Sequence, residues 1–190
     1  MTNVKLEIVI ARLAQMPRQG ASYDHMGKHG WSNPVRSDTP LFLQAFAGLP
    51  GIKRVLEVGC AHGESMLNMV KGNPTAVFHT IEWLPEMAAE ARENFAEAGV
   101  SNVTVHNGDA MLIIPTLPGK FDLVFLDANK SGYLEQIQLL QKLDLLVPDC
   151  LVIADNVIDR QTECQNFLDW MKQYPHVILP TECGLLCGRI

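Results

Sequence analysis

The stretch "VLEVGCAHGES", residues Val55 to Ser65, decides the fold. A short apolar run passes into a glycine turn and then into a helical pattern, which predicts a strand, a tight turn and a helix start. Gly59 and Gly63 allow the backbone to approach a ligand closely, and a helix N-terminus favours a negative group. An ordinary strand-to-helix turn is the simpler interpretation, because the spacing departs from G-x-G-x-x-G. Alone, the turn is weak evidence for a nucleotide site.

Short β-rich runs alternate with helical segments along the rest of the chain. The predicted strands are "RVLEV", "AVFHTIE", "VTVHN", "FDLVFLD", "CLVIAD", "HVILP" and "GLLCGRI", and the predicted helices between most of them cover 64–70, 85–98, 133–145 and 162–174. Strands that are apolar on both faces and alternate with helices predict a doubly wound (Rossmann-like) α/β fold with a parallel sheet. Only "TEC" and Gly184 separate the last two runs, so we expect these to form an antiparallel hairpin.

The bulk composition suits one globular domain. The chain has 190 residues, of which 47% are hydrophobic and 19% charged. Within a single domain, 1–190, we expect N-terminal helices and a lid-like loop in 1–50 and a cofactor-binding α/β core in 51–190. The formal charge of −6 argues against a nucleic-acid partner, because such proteins usually carry a basic face.

The N-terminus and the cysteines favour a cytoplasmic protein. "MTNVKLEIVIARLAQM" interleaves charged and apolar residues, which is typical of an amphipathic helix rather than a signal peptide. No run has the length needed to span a membrane. The five cysteines are odd in number and lack CxxC spacing, so we expect reduced thiols rather than disulfides or a zinc site.

Polar residues at the ends of the second and third predicted strands indicate an adenosine-containing ligand. Glu82 ends "HTIE", about 20 residues after the glycine turn, where an acid binds ribose hydroxyls. "HNGDAM" follows the third strand, with Asp109 and the Ala110 backbone placed to contact an adenine edge. With the glycine turn, three successive strand ends then carry groups that suit adenosine.

A second group of polar residues follows the fourth and fifth predicted strands. Asp127 ends "FDLVFLD", and "ADN" places Asp155 and Asn156 after the next strand. These strands are expected to be neighbours, so the side chains converge at one edge of the sheet. Two carboxylates and an amide oxygen suit Mg²⁺. The alternative is that each acid caps a turn or helix.

The motifs together resemble a known family. "LEVGCAHGES", "TIEWLPEMAAEAREN", "GDA", "FLDANKSGYLE" and "LVIADNV" are similar to the motif series of cation-dependent S-adenosylmethionine O-methyltransferases, which include catechol and caffeoyl-CoA O-methyltransferases. The resemblance spans roughly residues 39–190. It implies a class I methyltransferase sheet, S-adenosylmethionine as cofactor, and Mg²⁺ or another divalent cation such as Mn²⁺ or Ca²⁺. The implied reaction is O-methylation of a catechol-like or other small hydroxylated acceptor.

The resemblance also implies roles for individual residues. Those expected to bind the cofactor are Val35, Glu57, Gly59, Ser65, Glu82, Gly108, Asp109, Ala110 and Asn129. Among these, Ser65 is expected to bond the cofactor carboxylate. The metal ligands would be Asp127, Asp155 and Asn156, and the catalytic residues Asp127 and Lys130. Lys130 matches the family's general base, and its pKa is expected to fall near a cation.

Two departures leave alternatives open. Asn129 stands where the family commonly has an acid, and "VIDRQTECQNF" lacks the substrate loop that relatives insert after Asn156. One pocket wall is then missing or supplied by the loop 23–31. A catalytically silent cofactor-binding or regulatory protein is one alternative, and a nicotinamide-dependent oxidoreductase is another. We expect a small-molecule acceptor and no nucleic-acid or membrane partner, and the sequence leaves open whether the chain forms a homodimer.

Overall fold

One seven-stranded sheet forms the centre of the molecule. The computed structural model describes residues 3–16 and 38–190, so Val35 and the predicted lid-like loop 23–31 lie outside the described residues. The strands are β1 Arg54–Val58, β2 Val77–Glu82, β3 Val103–Asn107, β4 Phe121–Leu126, β5 Leu146–Ala154, β6 His176–Leu179 and β7 Leu185–Arg189. Their order is β3-β2-β1-β4-β5-β7-β6. The first five are parallel, and β7 pairs antiparallel with both β5 and β6. The predicted α/β fold with a terminal hairpin is confirmed.

Helices cover both faces of this sheet. They are α1 Val4–Leu13, α2 Thr39–Ala47, α3 Glu64–Gly72, α4 Pro85–Glu97, α5 Ala110–Ile113, α6 Tyr133–Lys142 and α7 Gln165–Met171, with short 3₁₀ turns at Ile114–Thr116 and Lys130–Gly132. No helix in the described ranges is long and apolar enough to cross a bilayer.

The helix boundaries show where the sequence pattern was misleading. The predicted helix 133–145 ends at Lys142, and the left-handed Asp144 (φ 54°) follows it. The predicted helix 162–174 begins only at Gln165. The chain leaves β5 through another left-handed residue, Asn156 (φ 64°), and then runs through successive turns before the helix. The spacing of apolar residues does not predict such turns, because they depend on local backbone geometry.

The core has two layers, one on each face of the sheet. Alternate residues of one strand enter different layers: Val55 of β1 packs with the α1 to α4 side, whereas Leu56 packs with the side of α6 and α7. In β4, Phe125 and Val124 divide in the same way. This two-sided burial explains why the central strands read as continuous apolar runs.

The strand register aligns the carboxyl ends of β1, β2, β4 and β5. Val58 pairs with both Ile81 and Leu126, and Leu126 pairs with Ala154. The residues that follow these positions therefore lie side by side at one edge of the sheet. Gly59 makes the closest approach there: it has φ 93°, and a Cβ at this position would lie 2.8 Å from the Asp127 carbonyl oxygen. Only glycine fits at this junction.

Candidate active site

Glu57 occupies the base of the glycine turn. Its side chain is fully buried and is hydrogen-bonded to the hydroxyls of Ser65 and Thr80, the latter at 2.8 Å. Burial raises the pKa of Glu57 to about 8, although both hydrogen bonds act in the opposite direction. Ser65, expected to bond a cofactor carboxylate, thus has its hydroxyl engaged with Glu57. Thr80 was missed by the sequence analysis, and its register pairing with Glu57 is visible only once the sheet is assembled.

Gly63 sets the direction in which α3 leaves the turn. Its φ is 89°, and a Cβ would lie 2.5 Å from the ring of Phe95 on α4. The turn is further fixed by Asn94, whose side-chain amide donates to the His62 carbonyl oxygen at 2.9 Å. The N–H groups at the start of α3 therefore have a fixed position at the carboxyl edge of the sheet.

Glu82 is tied to the same turn by its carboxylate. One oxygen accepts from the Ala61 backbone N–H and the other from that of Leu84, both at 2.9 Å. A carboxylate oxygen has two lone pairs, so each retains one for a further donor such as a ribose hydroxyl. Ribose binding by Glu82 stays a prediction, with one acceptor site left on each carboxylate oxygen.

Asp109 and its neighbours form the next part of the edge. Asp109 Oδ1 accepts from the Met111 backbone N–H at 2.8 Å and so caps α5, which begins at Ala110. Gly108 (φ 144°) donates its N–H to the Glu82 carbonyl oxygen at 3.0 Å. This cap, which holds the Asp109 side chain at the start of α5, was not predicted from the sequence.

Asn129 has a local role. Its Oδ1 accepts from the Ser131 backbone N–H at 3.2 Å and from the Ser131 hydroxyl at 3.0 Å, and the residue is exposed. It therefore caps the 3₁₀ turn that starts at Lys130. The residue that departs from the family pattern thus uses its amide oxygen as a cap.

Asp127 and Lys130 form a close ion pair. Lys130 Nζ lies 2.8 Å from Asp127 Oδ1, and the two side chains are only 13% and 17% exposed, respectively. Burial alone would lower the pKa of Lys130, but the Asp127 carboxylate and the Tyr133 hydroxyl more than reverse this, so that pKa lies above its ordinary value. The pKa of Lys130 is therefore raised in this structure, whereas from the sequence it was expected to be lowered near a bound cation. Burial also raises the pKa of Asp127, with Lys130 acting against it.

Asp155 is another buried acid at this edge. It is 3% exposed, and its Oδ1 is buried without a hydrogen-bond partner in the part of the chain that the structure describes. Burial, followed by repulsion from Asp127, raises the pKa of Asp155 to about 7. The adjacent Asn156 donates its side-chain amide to Asp159. Asp159 was not predicted, since its role depends on the turns after Asn156.

The residue types at this edge fit a hard divalent cation. Asp127, Asp155 and Asn156 offer two carboxylates and an amide oxygen, which are magnesium-type ligands. The unpartnered Asp155 oxygen is a buried polar group that a cation would compensate. Within 3–16 and 38–190, no group of three or more His, Cys, Asp or Glu side chains is arranged to bind a metal. The candidate set contains only two such side chains, so it depends on the amide.

Comparison with known proteins now identifies the domain. Residues 52–177 match the family model described as a methyltransferase domain. The chain belongs to the methyltransferase domain family. A catechol O-methyltransferase of Niastella koreensis is 38% identical over 123 residues, which are 62% of this chain and 55% of that protein. The chain thus spans about half the length of the first curated relatives that it matches.

Two further relatives show the breadth of this methyltransferase domain. A 23S rRNA (uracil(1939)-C(5))-methyltransferase of Shewanella is 35% identical over 103 residues, covering 53% of this chain and 22% of that enzyme. The crystal structure of cofactor-bound Rv0187 from MTB has a TM-score of 0.78 and 27% identity, covering 98% of this chain and 89% of that one. The domain is therefore shared by enzymes with different methyl acceptors, and the acceptor must be inferred from the site.

Proposed function

We propose that the chain is an S-adenosylmethionine-dependent and divalent-metal-dependent O-methyltransferase that acts on a catechol-like or other small hydroxylated acceptor. The observation that carries this proposal is the unpartnered, buried Oδ1 of Asp155 beside the Asp127–Lys130 pair. A cation site next to a lysine suits the deprotonation of an acceptor hydroxyl. The similarity to catechol O-methyltransferases supports the acceptor class.

The cofactor would lie along the ends of β1, β2 and β3. S-Adenosylmethionine, when bound, supplies a methyl group on a positively charged sulfur. Glu82 would accept hydrogen bonds from ribose hydroxyls with its remaining lone pairs, while Gly108, Asp109 and Ala110 border the adenine position. Glu57, Gly59 and Ser65 would surround the amino-acid end, where the buried Glu57 fixes the Ser65 hydroxyl.

The acceptor would lie beside the ends of β4 and β5. Asp127, Asp155 and Asn156 would bind the cation, which lowers the pKa of an acceptor hydroxyl when bound. As a neutral amine, Lys130 would accept the proton of the acceptor hydroxyl, whose oxygen would receive the methyl group that the cofactor supplies. Lys130 can act as this base only when its ion pair with Asp127 is weakened, because that pair favours the charged amine.

A catalytically silent cofactor-binding protein is the second candidate. The observation that favours it is Asn129, whose amide oxygen accepts two hydrogen bonds from Ser131. The nicotinamide-dependent alternative has less support, since the matching family is one of methyltransferases. Because the five cysteines are buried thiols that form no disulfide, we further propose a reducing location such as the cytoplasm.

Two measurements test the proposed function. Calorimetry should show binding of S-adenosylmethionine and no comparable binding of NAD, and preferential NAD binding would overturn the cofactor assignment. Mass spectrometry of a catechol panel should show a single added methyl group, and EDTA should abolish its formation. Full activity in EDTA would exclude the metal role, and cofactor binding without methylation of any panel member would favour the silent alternative.

A further inference from the structure

Asn156, two residues after the end of β5, has a defined amide orientation. Asn156 Nδ2 lies 3.2 Å from Asp159 Oδ1 and 3.3 Å from Asp159 Oδ2. A carboxylate only accepts hydrogen bonds, whereas an asparagine amide has donors on nitrogen and an acceptor on oxygen. The nitrogen must therefore face Asp159, since the reverse orientation would oppose the amide oxygen to a carboxylate. The side-chain oxygen of Asn156, Oδ1, is consequently the atom left for another partner.

Asp159 is itself fixed by the turn between β6 and β7. Cys183 Sγ donates to Asp159 Oδ2 at 3.3 Å, and the Cys183 carbonyl oxygen accepts from the backbone N–H groups of Ile158 and Asp159 at 2.9 and 3.3 Å. The Val157 N–H donates to the Gly184 carbonyl oxygen at 3.1 Å. Residues 155–159 thus connect the candidate metal ligands to Asp159, which is held in place by Cys183.

We infer that Asp159 is a positioning residue, which orients the Asn156 amide so that its oxygen faces the divalent cation. The inference rests on the proposed function, because it presupposes that Asn156 is a metal ligand. Residues that orient a metal ligand through a hydrogen bond fix its geometry, and their loss typically costs about 10- to 100-fold in metal affinity. Asp159 lies in the short segment that replaces the expected substrate loop.

A direct ligand role for Asp159 fits the contacts less well. Both of its oxygens accept from the Asn156 amide, and one also accepts from Cys183. Asp155, by contrast, is buried and has an unpartnered oxygen. The two acids differ in the way expected if Asp155 contacts the cation and Asp159 acts through Asn156.

Titration with MnCl₂, followed by the electron paramagnetic resonance signal of free Mn²⁺, tests this role. We expect Asp159→Ala to weaken Mn²⁺ binding by about 10- to 100-fold. Asp159→Asn should restore most of the affinity, because the new amide oxygen still accepts from Asn156. Asn156→Gly removes the amide but suits the left-handed backbone at this position. In that background, Asp159→Ala should cause little further loss.

The outcomes separate this inference from the proposed function. Failure of the wild type to bind Mn²⁺, or equal binding by Asn156→Gly, would contradict the proposed metal site. If the wild type binds and Asn156→Gly binds measurably more weakly, unchanged affinity in Asp159→Ala would overturn the positioning role alone. A loss that persists in the Asn156→Gly background, or one as large for Asp159→Asn as for Asp159→Ala, would also overturn it. Thermal unfolding of each variant identifies any that is misfolded. Cys183→Ser keeps a donor to Asp159 and Cys183→Ala removes it, so the Mn²⁺ affinities of these two variants provide a second comparison.

Discussion

The acids in the two halves of the sheet edge differ in their hydrogen-bond and ion-pair partners. In the cofactor half, at the ends of β1 to β3, Glu57, Glu82 and Asp109 all accept hydrogen bonds from hydroxyls or backbone N–H groups. In the metal half, at the ends of β4 and β5, Asp127 is paired with Lys130, and Asp155 has a buried oxygen without a partner among the described residues.

This difference supports the ligand that we propose for each half. Acids whose positions are already fixed by protein donors can accept further hydrogen bonds from neutral hydroxyls with little rearrangement. A buried carboxylate oxygen without a donor is costly unless a positive charge compensates it. The cofactor half therefore suits a nucleoside, and the metal half suits a cation. The following predictions test this contrast, starting with the largest expected effect.

Lys130 should be essential for turnover in the metal half. Lys130→Arg keeps a positive charge beside Asp127 but cannot lose its proton at neutral pH, so we expect kcat to fall by about 10²- to 10⁴-fold in both Lys130→Arg and Lys130→Ala. Lys172→Ala is a matched control, because Lys172 also pairs with an acid three residues away, Asp169, but on the surface. Steady-state kinetics measure the effect, and wild-type turnover by Lys130→Arg would rule out the base role.

Gly59 should matter because it joins the two halves. An alanine Cβ there would lie 2.8 Å from the backbone of Asp127 and Ala128, whereas a Cβ at Gly51, which has a similar φ of 96°, meets nothing within 4 Å. We expect Gly51→Ala to cost about 1–2 kcal/mol through backbone strain. Gly59→Ala should cost about 1–3 kcal/mol more through overpacking. Urea unfolding compares the two, and equal losses would show that the junction is not tight.

Glu57 should make stability depend on pH in the cofactor half. Burial raises the pKa of Glu57 to about 8, so the folded protein keeps a proton that the unfolded chain releases above about pH 4.5. The wild type should therefore lose stability relative to Glu57→Gln as the pH rises from 4.5 to 8, with each pKa unit worth about 1.4 kcal/mol. Thermal unfolding across this range measures the difference. A constant difference would show that Glu57 ionises normally, and the exposed Glu86→Gln serves as the control.

The fold could be predicted well because strands and helices each have a recognisable pattern of apolar residues in this sequence. Continuous apolar strands such as β4 and β5 alternate with helices, and the short link at Gly184 required a hairpin. The helix ends were less predictable, as at Asp144 and Asn156, where a left-handed residue changes the chain direction. Such conformations in non-glycine residues depend on tertiary contacts as well as on residue type.

The positions of candidate site residues could be predicted where these residues lie at the ends of strands. Parallel topology places Glu82, Asp127 and Asp155 at one edge whatever the details of packing. Contacts that depend on sheet register or on turn geometry were not predictable, including Thr80 with Glu57 and Asp159 with Asn156. The pKa direction of Lys130 was also beyond the sequence, because it is set by the short distance to Asp127.

The most direct test of the contrast is thermal unfolding of the wild type and Asp155→Asn, each with and without saturating MgCl₂. If the metal half is built for a cation, Mg²⁺ should stabilise the wild type, by about 2.7 kcal/mol at a hundredfold excess over Kd. Asp155→Asn should show little response and, without Mg²⁺, should be at least as stable as the wild type, because a buried charge with an unpartnered oxygen is gone. Equal stabilisation of both proteins, or none in the wild type, would contradict the account.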